Sequence, residues 1–323
     1  MLERFRVWIA LLYLFANSLF GFALVLFPAL VFISPLSLNL FYKWVDFSMS
    51  LWLRNTVFVL ENVWNINIYC YTKSASREKS PVAYRQDDKL QLVISNHATN
   101  FDWMYLWSWL AQIGKLKHVR NILKNELKCI PGFGWAMQCA AFIFLERNWT
   151  FDKDTILNML QIFRIIKNQS VIVLFPEGTN LCARSKEKSN AYAAAHALDR
   201  YEYCLHPRTT GFNAILLELI KKDGLRYITD VTIAYKGKYP VDPADLLMRG
   251  VLPEEIYILY KIHAVDHKKH LKDFTSMDVL MTMQFFCRPG VGITELKYFA
   301  FYFDLFHFCH CVNIDHEQAF WNY

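Results

Sequence analysis

The first apolar pattern along the chain is a long charge-free stretch near the N-terminus. No Asp, Glu, Lys or Arg occurs from Val7 to Tyr42, and this stretch exceeds the roughly 20 apolar residues that a helix needs to cross a bilayer. It therefore predicts a membrane segment. A cleaved signal peptide is the alternative, but the apolar core of such a peptide usually runs to only about 7–15 residues. Two prolines in the stretch are compatible with the end of a single span and with a re-entrant hairpin; they are Pro28 and Pro35.

The next segment mixes apolar and charged positions. From Lys43 to Trp64, aromatic and aliphatic residues are interspersed with ionised ones, which favours a helix at the membrane interface over a span. We therefore assign residues 1–64 to a membrane anchor and interfacial helix, and we expect this unit to anchor the protein independently of the rest. Residues 296–312 are aromatic but also carry charge, so a buried or interfacial segment and a span both stay open for them.

Beyond the anchor, the pattern changes to that of a folded domain. Residues 65–89 are polar and rich in Ser and charge, the composition of an exposed linker. From residue 90 onwards, short apolar runs alternate with longer amphipathic ones, which predicts an α/β domain with a largely covered central sheet over residues 90–262. The short apolar runs lie at 90–95, 140–145, 171–175 and 230–235, and the helical ones at 103–113 and 154–166. Residues 263–323 form a separate aromatic segment whose composition is compatible with membrane association.

Composition adds a preference for anionic partners. The chain is 54% hydrophobic and has a net charge of +6, a balance that favours phospholipid head groups or the phosphates of a nucleotide cofactor. The densest basic run, 115–128, is short and mixed with apolar residues, so we expect no nucleic acid partner. The eight cysteines include no CxxC pair. Adjacent positions in Cys309-His310-Cys311 cannot easily surround one tetrahedral ion, so we expect no metal.

The first candidate for chemistry directly follows the apolar run 90–95. His97 lies at the predicted strand end and Asp102 at the start of the next predicted helix, and the turn between them can fold the carboxylate back onto the imidazole ring. Such a carboxylate fixes the tautomer of a histidine that acts as a general base. The alternatives are that Asp102 is a plain helix N-cap and that His97 is a satisfied polar residue at a strand end.

Two further candidates also follow apolar runs. Pro176 and Gly178 shape a tight turn whose backbone N–H groups can bind an anion, with Glu177 either holding neighbouring donors or exposed as a turn carboxylate. Arg147 emerges from the run 140–145 and is suited to bidentate phosphate recognition, although a lone arginine is more often a surface ion-pair partner. Lys124 is a second basic candidate for the same anion.

Together and in this order, these motifs resemble those of the glycerolipid acyltransferase family, which includes the 1-acylglycerol-3-phosphate acyltransferases. The resemblance covers roughly residues 1–262, and the strings at 131–149, 175–193 and 201–212 are similar to those of its lysocardiolipin and lysophosphatidylinositol acyltransferase branch. After His263 the chain departs from that branch. The resemblance implies the family's fold, catalysis by His97 and Asp102, and binding of the phosphate-bearing acceptor by Arg147, Glu177, Gly178 and Thr179.

The resemblance also implies the reaction and its location. Acyl-CoA would be the co-substrate and a lysophospholipid the acceptor, with no metal or tightly bound cofactor, and the protein would lie in the endoplasmic reticulum membrane. A catalytically inactive lipid-binding protein of the same fold is the main alternative. A metal-dependent hydrolase that uses His97, Asp102 and Glu177 is a second one and would need a further close ligand.

Overall fold

The computed structural model describes residues 2–72, 90–165, 170–221 and 225–265. In these ranges the sheet is built from β1 (Asn67–Thr72), β2 (Leu90–Ser95), β3 (Val119–Lys124), β4 (Ile143–Leu145), β5 (Val171–Leu174), β6 (Leu225–Lys236) and β7 (Glu255–Ala264). The helices are α1 (Leu2–Gly21), α2 (Phe27–Phe32), α3 (Leu38–Phe58), α4 (Asp102–Gln112), α5 (Phe133–Cys139), α6 (Trp149–Ile165), α7 (Ala183–Ala195) and α8 (Thr209–Lys221). Short helical turns cover Phe22–Leu26, Val59–Val63, Leu116–His118, Asn125–Cys129 and Asp245–Arg249.

The described strands form one mixed sheet in the order β1-β7-β6-β2-β5-β3-β4. Strands β6, β2, β5, β3 and β4 are mutually parallel, whereas β7 runs antiparallel to β6 and β1 lies parallel to β7. The carboxyl ends of β2, β5, β3 and β4 therefore meet at one edge, which we call the carboxyl edge. Ligand sites of α/β sheets usually form at such an edge, because the loops that follow the strands converge there.

Helices cover both faces of the sheet. Successive residues of a strand point to opposite faces, and in β2 the side chain of Val93 packs in one apolar cluster while those of Leu92 and Ile94 pack in another. Helices α3 and α4 belong to the first cluster, and α6 and α8 belong to the second. The predicted α/β fold with a covered central sheet is thus confirmed. Because both faces are buried, these strands read as continuous apolar runs rather than as alternating ones.

The N-terminal helices form an antiparallel hairpin. Helix α1 continues through a π-helical turn into α2, the chain reverses around Pro35, and the Ser37 hydroxyl accepts a hydrogen bond from Leu40 N (3.3 Å) at the start of α3. Arg6 donates to the carbonyl of Trp64 (3.2 Å) near one end of the hairpin. Within the described residues, the stretch Glu3–Phe32 is long and apolar enough to cross a membrane. This property rests on the length and composition of the stretch.

Helix α3 contributes to the core as well as to the exposed surface. Its inward side buries Val45, Met49 and Leu53 among the residues of α4 and the sheet, and its Asp46 forms an ion pair with Arg120 of β3, whose side chain is 1% exposed. Its outward side exposes apolar residues, which suits the expected interfacial position; they include Phe47, Leu51 and Phe58. Helix α3 therefore shares its buried side chains with the α/β domain, and the independent anchoring by residues 1–64 stays a prediction.

Helix α1 also lies close to the α/β domain, and a glycine makes this approach possible. A Cβ atom built on Gly132, which has a φ of 72°, would lie 2.6 Å from the backbone Cα of Leu19. No larger residue fits between these two backbones. The ring of Phe22 also packs on that of Trp135, with 5.3 Å between their centroids. The end of α1 is thus packed against the α/β domain, as α3 is.

Several element boundaries differ from the predicted ones. Residues 67–72 form β1, a strand that pairs with β7 (Glu255–Ala264), although the sequence places them in the polar linker. An exposed edge strand with half-buried side chains lacks the continuous apolar run that marks β2 and β5. Strand β3 lies inside the basic run 115–128 and was also missed, because Arg120, Asn121 and Lys124 interrupt its apolar residues although most of the strand is buried. Residues 73–89 and 266–323 lie outside the described residues, as do the aromatic segment at 296–312 and Cys309-His310-Cys311.

We predict that Asp46→Ala destabilises the full-length protein by about 3–5 kcal/mol, because it leaves the buried Arg120 guanidinium without its carboxylate. The thermal unfolding of detergent-solubilised protein, followed by tryptophan fluorescence, measures this effect. Arg54→Ala removes an exposed charge from the same helix and is the matched control. Equal melting temperatures for the two variants would show that the ion pair does not hold α3 on the sheet.

Candidate active site

The predicted motifs gather at the carboxyl edge of the sheet. His97 follows β2 by two residues, the turn 175–179 directly follows β5, and Arg147 follows β4 by two residues. Strands β2 and β5 are neighbours in parallel register, with Ile94 opposite Leu174. Because neighbouring strands are about 4.8 Å apart, His97 and the turn lie side by side. The parallel topology therefore places two motifs that are 80 residues apart in the chain in one site.

The structure brings His97 and Asp102 into direct contact. His97 Nδ1 lies 2.8 Å from Asp102 Oδ2, and the same carboxylate oxygen accepts a hydrogen bond from the backbone N–H of Thr99 (3.0 Å). The Asp102 side chain is fully buried, whereas that of His97 is 17% exposed. The turn thus folds the carboxylate back onto the ring, and one face of the pair stays accessible to a reactant.

A third donor to Asp102 comes from a distant strand. The hydroxyl of Tyr235, on β6, donates a hydrogen bond to Asp102 Oδ1. Burial, together with the nearby Asp102 carboxylate, raises the pKa of Tyr235 well above its usual value, so the phenol stays protonated. Thr99 N–H and Tyr235 O–H are both donors, and Asp102 is an acceptor towards each of them. In the tautomer that complements this acceptor, His97 Nδ1 carries the proton towards Asp102 and the free lone pair is on Nε2.

Neighbouring groups fix the orientation of the His97 ring. The Phe175 ring stacks on it, with 4.4 Å between the centroids and 25° between the planes. The preceding Asn96 side chain exchanges two hydrogen bonds with the backbone of Ile233 on β6, at 3.0 and 2.8 Å. These contacts hold both the imidazole and its backbone before any substrate binds. Tyr235 and Asn96 were both missed by sequence reasoning, since nothing local in the chain links either residue to β6.

Glu177 lies under the site and holds its backbone. Its side chain is buried, with 3% exposure for the residue, and its two oxygens accept hydrogen bonds from His97 N–H and Leu205 N–H, both at 2.9 Å. Burial raises the pKa of Glu177 to about 8, while the two backbone donors act in the opposite direction. The sequence left two interpretations of Glu177, a carboxylate that holds neighbouring donors and an exposed turn carboxylate. The observed arrangement matches the first one. Both of its oxygens face the backbone of the protein.

The turn 175–179 reaches the surface at Gly178 and Thr179, whereas Pro176 is buried like Glu177. Gly178 is exposed and has a φ of 72°, a conformation that favours glycine, and its N–H donates to the carbonyl of Phe175 (3.0 Å) to close the turn. Thr179 follows it and is half-buried. The carbonyl of His97 accepts a hydrogen bond from Leu181 N–H (2.8 Å), which ties the end of this turn to the general base candidate. Both Gly178 and Thr179 therefore lie at the surface next to His97.

The basic candidates lie further along the same edge. Arg147 follows β4, which is three strands away from β2, so that its backbone lies about 14 Å from the His97 strand at the usual strand spacing. It is exposed, and within the described ranges it makes no ion pair. Lys124 ends β3, between the two, and is also exposed. The edge thus carries positive charge beside the histidine rather than in contact with it.

The described residues include no group of three or more His, Cys, Asp or Glu side chains that could hold a metal ion. His97, Asp102 and Glu177 lie near one another, but the Glu177 oxygens are directed to backbone N–H groups. The geometry is therefore that of a histidine and carboxylate pair with a buried carboxylate and a partly exposed imidazole.

Comparison with known proteins identifies the class. The family model described as Acyltransferase matches residues 75–236, which hold the His97 and Asp102 pair, Arg147 and the turn 175–179. The chain belongs to this family. No solved structure matches the chain significantly.

Curated relatives point to lipid-modifying members of the family. The chain is 39% identical over 247 residues to lysocardiolipin acyltransferase 1 of Gallus gallus, a match that covers 76% of this chain and 61% of the relative. It is 38% identical over 168 residues to lysophosphatidylinositol acyltransferase 10 of Caenorhabditis elegans, covering 51% and 43%. A probable 1-acyl-sn-glycerol-3-phosphate acyltransferase 5 of Arabidopsis thaliana is 32% identical over 232 residues, covering 70% and 58%. The chain spans between 61% and 65% of the length of the three lysocardiolipin acyltransferases that it matches.

We predict that Tyr235→Phe lowers kcat by roughly tenfold or more, because a hydrogen bond to a charged group contributes about 1.5–3 kcal/mol. The aromatic ring and its packing are retained. Steady-state kinetics of acyl transfer measure the change. Tyr239→Phe is the matched control, since its ring stacks on that of Tyr235 (4.6 Å between centroids). If the two variants have the same kcat, the contact from Tyr235 does not support Asp102.

A second prediction concerns Glu177. Glu177→Ala leaves the N–H groups of His97 and Leu205 without their acceptor, and each unsatisfied buried donor costs about 1–3 kcal/mol. We expect a lower melting temperature and a lower kcat than in Glu187→Ala, which removes an exposed carboxylate from α7. A Glu177→Ala protein with the stability and rate of the control would contradict this role.

Proposed function

We propose that this protein transfers a fatty acyl group from acyl-CoA to the free hydroxyl of a lysophospholipid. The observation that carries the proposal is the His97–Asp102 pair, with its 2.8 Å contact, its buried carboxylate and its partly exposed imidazole. This pair can remove a proton from a hydroxyl group, which is the step that acyl transfer to an alcohol requires. An inactive lipid-binding protein would have no use for this assembled pair.

The proposed reaction proceeds in one displacement sequence. His97 Nε2 takes the proton of the acceptor hydroxyl as the oxygen attacks the thioester carbonyl of acyl-CoA. Asp102 stabilises the imidazolium that forms, with Tyr235 and Thr99 holding the carboxylate in place. The carbon–sulfur bond then breaks, and CoA leaves as a thiol after it receives the proton from His97. The proposed reaction needs neither an acyl-enzyme intermediate nor a metal or tightly bound cofactor.

The acceptor class is supported by charge and by the relatives. The matched proteins are named for lysocardiolipin, lysophosphatidylinositol and 1-acyl-sn-glycerol-3-phosphate, acceptors that all carry phosphate. Arg147 and the turn that contains Gly178 and Thr179 lie at the carboxyl edge with His97 and suit an anionic head group. We assign Glu177 to the support of this region through its backbone contacts.

Membrane association follows from the N-terminal hairpin. Its outward side exposes large apolar residues, of which Phe20, Leu24, Phe32 and Leu36 are each more than 60% exposed, and such a surface is suited to the acyl region of a bilayer. A lysophospholipid acceptor resides at the same bilayer. We propose the endoplasmic reticulum as that membrane, on the basis of the family resemblance.

Acyl transfer by the purified full-length protein in detergent tests the proposal. The protein is incubated with labelled oleoyl-CoA and a panel of lysophospholipids, and the products are identified by mass spectrometry. His97→Ala should reduce the rate by about 10²–10⁴-fold, the usual contribution of a positioned general base. Asp102→Asn should also be severely impaired, since an amide cannot stabilise the imidazolium.

His196→Ala removes an exposed imidazole just beyond α7 and is the control for both variants. Unchanged turnover in folded His97→Ala protein would remove His97 from the mechanism. A wild-type protein that acylates none of the lysophospholipids would refute the proposed reaction itself.

A further inference from the structure

The segment 205–208 is fastened to the turn 175–179 at two points. Leu205 N–H donates to Glu177 Oε2 (2.9 Å), and Arg208 N–H donates to the carbonyl of Pro176 (2.7 Å). Arg208 immediately precedes α8, which packs on the sheet through Phe212, so the segment is also held from its other end. The backbone of Arg208 is therefore fixed relative to the turn that borders His97.

The Arg208 side chain crosses this turn at its glycine. A Cβ atom built on Gly178 would lie 3.4 Å from Arg208 Cδ and 3.8 Å from its Nε. The aliphatic part of the arginine thus lies against the Gly178 backbone, and the residue as a whole is exposed. In the part of the chain that the structure describes, the Arg208 guanidinium forms no ion pair with a carboxylate.

The turn connects Arg208 to the general base. Phe175, at one end of the turn, stacks on the His97 ring, and Glu177 accepts from His97 N–H and Leu205 N–H at once. The turn follows β5, which is the direct neighbour of the His97 strand, whereas Arg147 follows a strand two positions further out. Arg208 therefore lies against a turn next to the His97 strand, whereas Arg147 lies two strands further along the sheet from that turn.

We propose that Arg208 binds the phosphate of the lysophospholipid acceptor and thereby sets the selectivity for phosphate-bearing acceptors over neutral ones. A guanidinium binds phosphate through two parallel hydrogen bonds, which gives orientation as well as attraction. This inference rests on the proposed function, because it assumes that the acceptor hydroxyl approaches His97 Nε2.

The acceptor is a better match than the acyl donor for this position. In a lysophospholipid the phosphate is only a few bonds away from the free hydroxyl, so a hydroxyl at His97 brings its phosphate close to the adjacent turn. In acyl-CoA the phosphates lie at the far end of the pantetheine arm from the thioester. A cation beside the reacting centre therefore meets the acceptor phosphate first.

Kinetics of the full-length protein with two acceptors test the inference. Lysophosphatidylinositol and monooleoylglycerol are compared in the same detergent micelles for wild-type protein, Arg208→Ala, Arg208→Lys and the control Arg200→Ala, which removes an exposed arginine upstream of the fastened segment. Arg208→Ala should raise KM for lysophosphatidylinositol by about tenfold or more and leave KM for oleoyl-CoA and the rate with monooleoylglycerol nearly unchanged. Arg208→Lys keeps the positive charge but cannot form the two parallel hydrogen bonds of a guanidinium, so it should give an intermediate KM for lysophosphatidylinositol.

Three results would overturn the inference: an unchanged KM for lysophosphatidylinositol, an equal loss with both acceptors, or a KM increase that falls mainly on oleoyl-CoA. Equilibrium binding to His97→Ala protein with and without Arg208→Ala adds a measurement that needs no turnover. Weaker binding of lysophosphatidylinositol, with monooleoylglycerol unaffected, supports Arg208 even where acyl transfer itself is absent. Absent acyl transfer in the wild-type protein counts against the proposed function, and unchanged binding counts against Arg208.

Discussion

The buried carboxylate of Asp102 is the constraint on which the rest of the site depends. A carboxylate without solvent must receive hydrogen bonds, and Asp102 receives them from Thr99 N–H and Tyr235 O–H, with His97 Nδ1 at 2.8 Å. These groups come from the turn after β2 and from β6, so the pair is assembled only when the two neighbouring strands are in register. The same contacts favour the His97 tautomer with its proton on Nδ1, while the imidazole stays 17% exposed.

A second buried carboxylate has a different task. Asp102 acts on the side chain of His97, whereas Glu177 accepts from the backbone N–H of His97 and from that of Leu205. Asp102 thus orients the His97 ring, and Glu177 joins the loop that carries His97 to the segment that carries Arg208. The desolvation that raises the pKa of Glu177 to about 8 reflects how fully this junction is enclosed. The backbone at the carboxyl edge of the sheet is therefore already in place before a substrate binds.

The N-terminal helices join an exposed apolar surface to the domain that carries this site. Their outward sides are apolar and exposed, while their inward sides supply core residues and the Asp46–Arg120 ion pair to the α/β domain. The close backbone approach at Gly132 and Leu19 extends this attachment to the loop before α5. Because α3 carries part of this exposed apolar surface and is also a core helix, packing fixes the position of that surface relative to the α/β domain.

The sequence by itself determined the α/β class, the apolar N-terminal segment and the motifs at His97, Asp102 and Glu177, because continuous apolar runs and strand-end motifs are local patterns. The tertiary structure decided what depends on distant partners. Tyr235 lies 133 residues from Asp102, Asp46 lies 74 residues from Arg120, and the half-buried edge strand β1 has no apolar run of its own. The order of the strands in the sheet brings such residues together. The spacing of residues along the sequence does not indicate that order. Arg208 belongs to this second group, since its place over Gly178 follows from contacts that only the folded chain makes.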